Sequence, residues 1–368
     1  MKKKIGILTF HRAINYGGIL QCFALYKYLQ KKGYDVDAID YRPDYIEKWR
    51  KAFSFYNRRF ISLIKSIIKG CLFYPYIRKS NRNFDQVLGK MSLSCLVKNE
   101  ADFDKLNYDY YFCGSDQIWN PRITYGTDPI FFGNFNRKGA KIVSYAASMG
   151  EHNLGNGLSD NINMLLKSID NISVREDDLC SLLRKSGLDA KVVVDPTILA
   201  DRAIFDELIE EPSFSNYVLV YALKDELMAV NFAKQIAEQL HSEVIVLRAI
   251  KSGVKYKEKN IRTIECVSPG AFIGFIKKSI CNVIVSFHGT VFSTLYNKDF
   301  YSLQHSTQGR YEHYLKNVGL ESRLVNPLDK IIFSHVDYSS FETKIQDLRK
   351  DSVSFIDSSL HTDIYGKQ

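Results

Sequence analysis

Closely spaced cysteine pairs, long apolar runs and clusters of metal-ligating residues are all missing from this 368-residue sequence. Its seven cysteines are scattered and odd in number, unlike a disulfide framework or a zinc motif. We therefore expect them to be reduced and mostly buried, as in a cytoplasmic protein. No apolar run reaches the roughly 18 residues of a spanning helix, and the apolar run after Met1–Lys4 is too short for a secretory signal. We expect neither a metal nor a cofactor.

A net excess of positive charge is missing from most of the chain. The formal net charge is +9, and residues 42–90 hold twelve bases against three acids, which accounts for the whole excess. One such segment does not favour nucleic-acid binding by the protein as a whole. Within it, apolar residues recur at helical spacing from Phe60 to Phe73, predicting an amphipathic basic helix or helix pair. Its basic face is either simply solvated, or it docks on an anionic membrane or a lipid-linked diphosphate.

Apolar segments typical of strands alternate with helical ones along the chain. The first unit is a strand at Lys4–Phe10, a helix at Ile19–Leu29 and a strand at Tyr34–Asp40. Gly17 and Gly18 in its first turn lack the third glycine of a dinucleotide-binding motif. They either serve only to make the turn or belong to a binding site. The alternation restarts after Asn216, which predicts two α/β halves with a ligand cleft between them.

Polar side chains follow several predicted strands, where α/β proteins usually keep their chemistry. A lone histidine there is more often a hydrogen-bonded core residue than a catalyst. An arginine there either pairs with the acids that follow it or clamps an anion at a helix N-terminus. These side chains, with the strands that they follow, are His288 (281–285), Arg175 (171–174), and Ser115 and Asp116 (108–113), the last two being alternatively helix caps.

Six short segments, in order and spread over nearly the whole chain, resemble the polysaccharide pyruvyl transferase family. They are Asn15–Gln21, Cys113–Asn120, Ser144–Ser148, Ser173–Glu176, Asp195–Thr197 and Ser286–Gly289. The resemblance implies an α/β fold of two Rossmann-like domains facing a central cleft, similar to GT-B glycosyltransferases. The acceptor-side domain would be 1–205, with a basic helical insertion at about 42–90. The donor-side domain would be 206–368, with a terminal helix that could pack back on the first domain.

The resemblance also implies an activity. Phosphoenolpyruvate would donate its pyruvyl group to a pair of sugar hydroxyls on a bacterial surface polysaccharide, exopolysaccharide or capsule, or on its lipid-linked precursor. The product would be a pyruvate ketal, and phosphoenolpyruvate would serve as co-substrate with no cofactor. We expect these partners and no nucleic acid. We expect the protein in the cytoplasm, at the inner face of the membrane if the basic segment contacts lipid.

Residue by residue, the resemblance makes His288 the catalytic histidine and Arg175 the donor-binding arginine. A dianionic donor would keep His288 protonated, which suits a general acid. Better characterised members resemble Arg-Leu-His where this chain has Ser286-Phe287-His288, so one cation is absent; Arg310, and less strongly Lys298, is our candidate replacement. Asp116 is the first candidate base and His11 the second, although Asp116 could equally orient the acceptor. The remaining candidates are Ser286 and Gly289 for the donor, and Asn15, Gly17, Ser115, Gln117 and Trp119 for the acceptor or cleft.

Two other functions fit the same residues. A nucleotide-sugar glycosyltransferase of GT-B type would use Arg175 and Arg310 to hold a diphosphate. A non-catalytic scaffold at the membrane surface would use only the basic segment. Stabilisation by phosphoenolpyruvate or by nucleotide sugars separates the first two.

Overall fold

The protein is represented by a computed structural model that describes residues 2–51, 60–150, 158–304 and 309–361, except for the side chains of residues 49, 60–70, 309, 310 and 361. Two six-stranded sheets, each wholly parallel, form its framework. The strands are β1 Lys4–Leu8, β2 Asp35–Ala38, β3 Tyr110–Asp116, β4 Lys141–Ala147, β5 Asn171–Val174, β6 Ala190–Val192, β7 Tyr217–Ala222, β8 Glu243–Arg248, β9 Ile261–Glu265, β10 Cys281–Val285, β11 Phe300–Leu303 and β12 Leu324–Val325.

Helices connect the strands and cover both sheets, as parallel crossovers require. The α-helices are α1 Tyr16–Lys31, α2 Asp44–Glu47, α3 Phe60–Leu88, α4 Pro121–Thr124, α5 Asp160–Leu166, α6 Asp177–Lys185, α7 Pro196–Leu199, α8 Ala203–Asp206, α9 Glu226–Gln239, α10 Pro269–Lys278, α11 Phe287–Leu295, α12 Gly309–Asn317 and α13 Phe341–His361. Among the described residues, no helix is both long and apolar enough to cross a membrane.

The strand order gives each sheet one point where the direction of winding reverses. The first sheet runs β2-β1-β3-β4-β5-β6, so the reversal falls between β1 and β3. The second runs β12-β11-β10-β7-β8-β9, so it falls between β10 and β7. At such a point the connecting helices leave to opposite faces, which opens a crevice beyond the carboxyl ends of the strands.

Helix α1 joins the two halves. Twelve of its sixteen residues are buried, because one side covers the first sheet and the other contacts the second half. The Tyr16 ring stacks on Phe272 of α10 with centroids 4.3 Å apart, and its hydroxyl donates to the Val267 carbonyl. The apolar core is therefore continuous between the halves.

The basic segment and the terminal helix can now be compared with their sequence-based predictions. The basic segment contains one long helix, α3, with Pro75 inside it. The terminal helix α13 contacts the first half, where the Ser352 hydroxyl accepts from the Val194 amide and the Leu360 carbonyl accepts from the Tyr110 hydroxyl. The α/β class with two parallel sheets is confirmed.

Candidate functional site

The carboxyl ends of the central strands carry most of the sequence-predicted residues. His288 follows β10 at the reversal point of the second sheet, and Asp116 ends β3 at that of the first. Asn15 and Gly17 follow β1, the other strand at the first reversal point. Both crevices contribute to one site, because α1 brings Gly17 against the His288 ring.

His288 is fixed by the start of α11. Ser286 is the N-cap, and its hydroxyl accepts a hydrogen bond from the Gly289 amide at 3.4 Å. This holds His288 in the first helical turn, with 8% of its surface exposed. Its Nε2 lies 3.5 Å from Oδ2 of Asp195 and makes no hydrogen bond to any described residue.

Position 17 requires glycine because the His288 ring lies so close to it, and not because of the turn. A Cβ atom built on Gly17 would lie 1.9 Å from Nδ1 of His288 and 2.5 Å from its Cγ and Cε1. Gly17 lies in the first turn of α1, in a part of the helix where any residue could adopt the backbone conformation. Only a residue without a side chain therefore admits the imidazole at this position.

Asp195 is the fully buried centre of the site. Its Oδ1 accepts from the amide and hydroxyl of Thr197, because Asp195 is the N-cap of α7. Its Oδ2 accepts from Nη1 of Arg175 at 2.8 Å and from the Ser115 hydroxyl at 3.0 Å. Although burial opposes ionisation, His288, Arg175 and the Thr197 amide hold the Asp195 pKa far below its usual range. Asp195 is therefore a carboxylate shared between an arginine and a histidine.

Arg175 follows β5 and points into the same cluster. Besides Asp195, its guanidinium lies near Glu176, at 3.5 Å, and Asp116, at 4.0 Å, and its centre is 4.6 Å from the Phe287 ring centroid. Burial opposes its charge, but these three carboxylates raise its pKa above the ordinary value. Its Nη2 is buried and makes no hydrogen bond to a described residue. Arg175, Asp195 and His288 are called the central cluster below.

A hydrogen-bond network in the first half fixes Ser115, which in turn bonds Asp195 of the central cluster. The Gln21 amide donates to the Thr9 hydroxyl, and its carbonyl accepts from the Ser115 backbone amide. The Thr9 hydroxyl donates to the Ser115 carbonyl. Ser115 is thus held on both sides while its own hydroxyl donates to Asp195. The position and direction of the carboxylate are set by α1, β1 and β3 together.

Beside the central cluster lies a cavity of about 810 Å³ between the halves, called the cleft cavity. Asn15, Asp116 and Gln117 line its inner end, and Asn15 also caps α1 by accepting from the Gly18 amide. Lysines and apolar side chains line the rest. They are Lys48, Lys51, Lys251, Phe10, Ile14, Tyr45, Ile46, Phe73, Ile77, Ile123 and Ile250. Such a mixed lining is typical of a binding cavity with a few orienting polar groups.

Trp119 and Lys298 lie away from the central cluster. Trp119 is buried, stacks on Phe132 and donates its indole N–H to the Phe131 carbonyl. Lys298 lies beyond the C-terminal end of α11, at the amino end of β11, and burial lowers its pKa. Gly289 packs against Ile284. The Arg310 side chain lies outside the described residues.

His11 is buried, with Arg12, Asp40 and Arg50 as its charged neighbours, and it does not line the cleft cavity. Its Nδ1 lies 3.1 Å from the Thr9 carbonyl, which can only accept, so Nδ1 carries the proton. Its Nε2 is buried without a hydrogen-bond partner among the described residues. Burial, assisted by the charge of Arg12, lowers its pKa from 6.5 to about 4. His11 is accordingly neutral in the folded protein at ordinary pH.

Sequence reasoning assigned no role to Asp195 or Gln21. In the structure β6 ends at Val192, and Asp195 caps the next helix. An aspartate followed by proline is a helix-start signal, which could have marked this position. Gln21 carries no such signal, because a glutamine in an apolar helix looks like a surface residue.

Comparisons with known proteins agree with this fold. The family model described as polysaccharide pyruvyl transferase matches residues 15–307. A search of curated proteins gave no match. Solved structures with similar folds include two UDP-N-acetylglucosamine 2-epimerases, each with a TM-score of 0.50 and 11% identity. The alignment with the protein of Methanocaldococcus jannaschii covers 98% of this chain and 100% of that one. The alignment with the protein of Neisseria meningitidis covers 98% of this chain and 93% of that one. A protein of Listeria monocytogenes assigned to the same class has a TM-score of 0.52 and 11% identity, over 98% of this chain and 89% of its own.

At such low identity the solved structures show the fold alone, and they confirm the GT-B-like arrangement of two Rossmann-like halves. The family match spans most of the chain and includes His288, Arg175 and Asp195. The chain therefore belongs to the polysaccharide pyruvyl transferase family, and with it to the transferases.

Proposed function

We propose that the protein transfers the pyruvyl group of phosphoenolpyruvate to two hydroxyls of a glycan, forming a pyruvate ketal and releasing phosphate. One observation carries this proposal. Nη2 of Arg175 and Nε2 of His288 are buried near the same oxygen of Asp195, and neither forms a hydrogen bond with a described residue. Buried polar groups are rarely left unpaired without a functional reason. An anion that also accepts a proton would satisfy both groups.

The surroundings favour an anionic donor. The positive ends of two helices meet here, since α1 and α11 both begin beside the central cluster and Gly17 and His288 are in their first turns. Backbone N–H groups of a first helical turn lack partners within the helix and attract anions. Together with Arg175 they would receive the carboxylate or phosphate of phosphoenolpyruvate, partly replacing the cation that the family supplies at the position of Ser286.

The chemistry follows from these placements. His288 gives a proton to the methylene carbon of phosphoenolpyruvate, which becomes a methyl group and leaves an oxocarbenium-like carbon next to it. One sugar hydroxyl adds to that carbon and loses its proton to a base. Phosphate then leaves with the C–O bonding electrons, and the second hydroxyl closes the ring and gives up its own proton. The negative charge of Asp195, 3.5 Å from Nε2 of His288, would stabilise the charged imidazole that gives up this proton.

The acceptor glycan is assigned to the cleft cavity. Asp116 lines the cavity and lies 4.0 Å from Arg175, so it is the described carboxylate that faces both substrates. We assign it to proton removal from, or orientation of, the attacking hydroxyl. The lysines of the lining suit an acceptor that carries phosphate, such as a lipid-linked repeat unit.

The test is phosphate release from phosphoenolpyruvate with a panel of free and lipid-linked glycans as acceptors. His288→Gln should lower turnover by about 10²- to 10⁴-fold, the usual contribution of a general acid. His335→Gln is the matched control, because that histidine lies on the surface and pairs only with Asp299 among described residues. Normal turnover in His288→Gln would contradict the assignment of His288 as the general acid.

Donor binding gives an independent readout. Phosphoenolpyruvate should raise the melting temperature of the wild-type protein, as any ligand of the folded state does. Nucleotide sugars are the comparison, since the neighbouring solved structures include one with bound UDP-N-acetylglucosamine. Stabilisation by a nucleotide sugar and not by phosphoenolpyruvate would favour glycosyl transfer instead.

A further inference from the structure

One side of helix α3 packs against the rest of the protein. Phe73 and Ile77, four residues apart, line the cleft cavity. Further along the same side, the Ser80 hydroxyl donates to the Ala249 carbonyl of the second half, and Phe84 is fully buried. This spacing of three and four residues defines one helix face. The opposite side is consequently free of these contacts.

Exposed bases lie on that opposite side, and exposed apolar residues lie on its two flanks. Leu72 is 66% exposed and Tyr74 is 49% exposed, which is unusual for side chains of this size. Arg78 and Lys79 are exposed one turn later. Because Tyr74 and Arg78 are four residues apart and Leu72 and Lys79 seven, each apolar residue shares a flank of the helix with one base.

The charge of the segment selects the kind of surface that it can meet. Residues 42–90 carry the entire excess of positive charge in the protein. A protein surface would have to be strongly acidic to match it, whereas the anionic headgroups of a bilayer match both the charge and the exposed apolar side chains. Tyrosine in particular favours the boundary between headgroups and acyl chains.

We propose that α3 docks on an anionic bilayer with the side that carries Arg78 and Lys79, which contact the headgroups, while Leu72 and Tyr74 on the two flanks of this side lie in the interface. Phe73 and Ile77 of the same helix line the cleft cavity, so docking places the cavity beside the membrane. A lipid-linked glycan could then enter the cavity without leaving the bilayer. Membrane docking is a property of α3 and does not depend on which donor the enzyme uses.

The test is co-sedimentation of the full chain with phosphatidylcholine vesicles, with and without phosphatidylglycerol, in the absence of phosphoenolpyruvate. Binding should require phosphatidylglycerol and weaken as salt is added. Arg78→Gln/Lys79→Gln should lower the partition coefficient by about tenfold or more. The matched control is Lys257→Gln/Lys259→Gln, which removes the same charge from exposed positions of the second half and should bind as the wild type does.

A second pair of variants tests the apolar part. Leu72→Ser/Tyr74→Ser should also lose vesicle binding, whereas Leu328→Ser/Ile332→Ser should keep it, although Leu328 and Ile332 are 84% and 89% exposed. Turnover with a water-soluble acceptor should remain normal in all four variants, which excludes unfolding as the cause. Absence of binding to anionic vesicles, or equal loss in the α3 and control variants, would overturn the proposal.

Discussion

Gly17→Ala adds one methyl group to the first turn of α1 and is the sharpest test of the site. The new Cβ would lie 1.9 Å from Nδ1 of His288, about half of an ordinary contact distance of roughly 3.5 Å. The imidazole or the start of α1 must therefore shift by about 1.5 Å. The backbone conformation itself suits alanine, so the effect comes from the contact between the halves.

The expected effects on activity and stability differ in size. Displacing a reacting group by about 1 Å can cost about 10²-fold in rate, so turnover should fall by at least that factor. Overpacking costs about 1–3 kcal/mol of unfolding free energy, and the better helix propensity of alanine offsets about 1 kcal/mol of it. The net destabilisation should stay at or below about 2 kcal/mol, so the variant folds but hardly reacts.

A double-mutant cycle isolates the contact. We would measure phosphate release and urea unfolding for Gly17→Ala, His288→Ala and the double variant, with Gly89→Ala as a control whose Cβ meets nothing closer than 3.4 Å. Without the imidazole, Gly17→Ala should become neutral or slightly stabilising, since only helix propensity remains. Near-normal turnover in Gly17→Ala, or the same destabilisation in both backgrounds, would refute the reasoning.

Two further predictions concern the buried groups Asp195 and His11. Asp195→Asn should lower kcat by about 10²-fold or more, with a smaller change in KM. It should also lower the free energy of unfolding by about 3–5 kcal/mol, because Arg175 loses its closest carboxylate. Steady-state kinetics and unfolding curves measure the two effects, and an unchanged kcat would contradict the role of Asp195. The unfolded chain protonates His11 near pH 6.5 and the folded protein only near 4, so wild-type stability should fall by about 3 kcal/mol as the pH drops through this window. His11→Gln should lack this part of the pH dependence in urea unfolding, and identical curves for the two proteins would contradict it.

The sequence pattern predicts strand ends well. His288, Arg175 and Asp116 were found because each follows an apolar run, and in parallel sheets the carboxyl ends of strands lie at one edge. That reasoning needs only local hydrophobicity. It fails for β9, because Ile261–Glu265 contains only two apolar residues, lies at the edge of the sheet and is only partly buried.

Which strand ends meet cannot be read from local pattern. The pairing of β1 with β3, and of β10 with β7, depends on long-range packing, and it decides that His288 lies opposite Gly17. Trp119 shows the reverse problem. It follows the same polar loop as Asp116, but its indole finds a carbonyl partner in the core, so proximity in sequence does not place it in the cleft.

The segment Asn15-Tyr16-Gly17 connects the cleft cavity with His288. Asn15 lines the cleft cavity, Tyr16 anchors α1 to Phe272 of the second half, and Gly17 makes room for the imidazole of His288. Asn15 is the extended N-cap, and Tyr16 and Gly17 are the first helical residues, about 100° apart, so the three residues point in different directions. The distance between His288 and the cavity is therefore set by the packing of Tyr16. A change that loosens this stacking should weaken catalysis without touching either substrate.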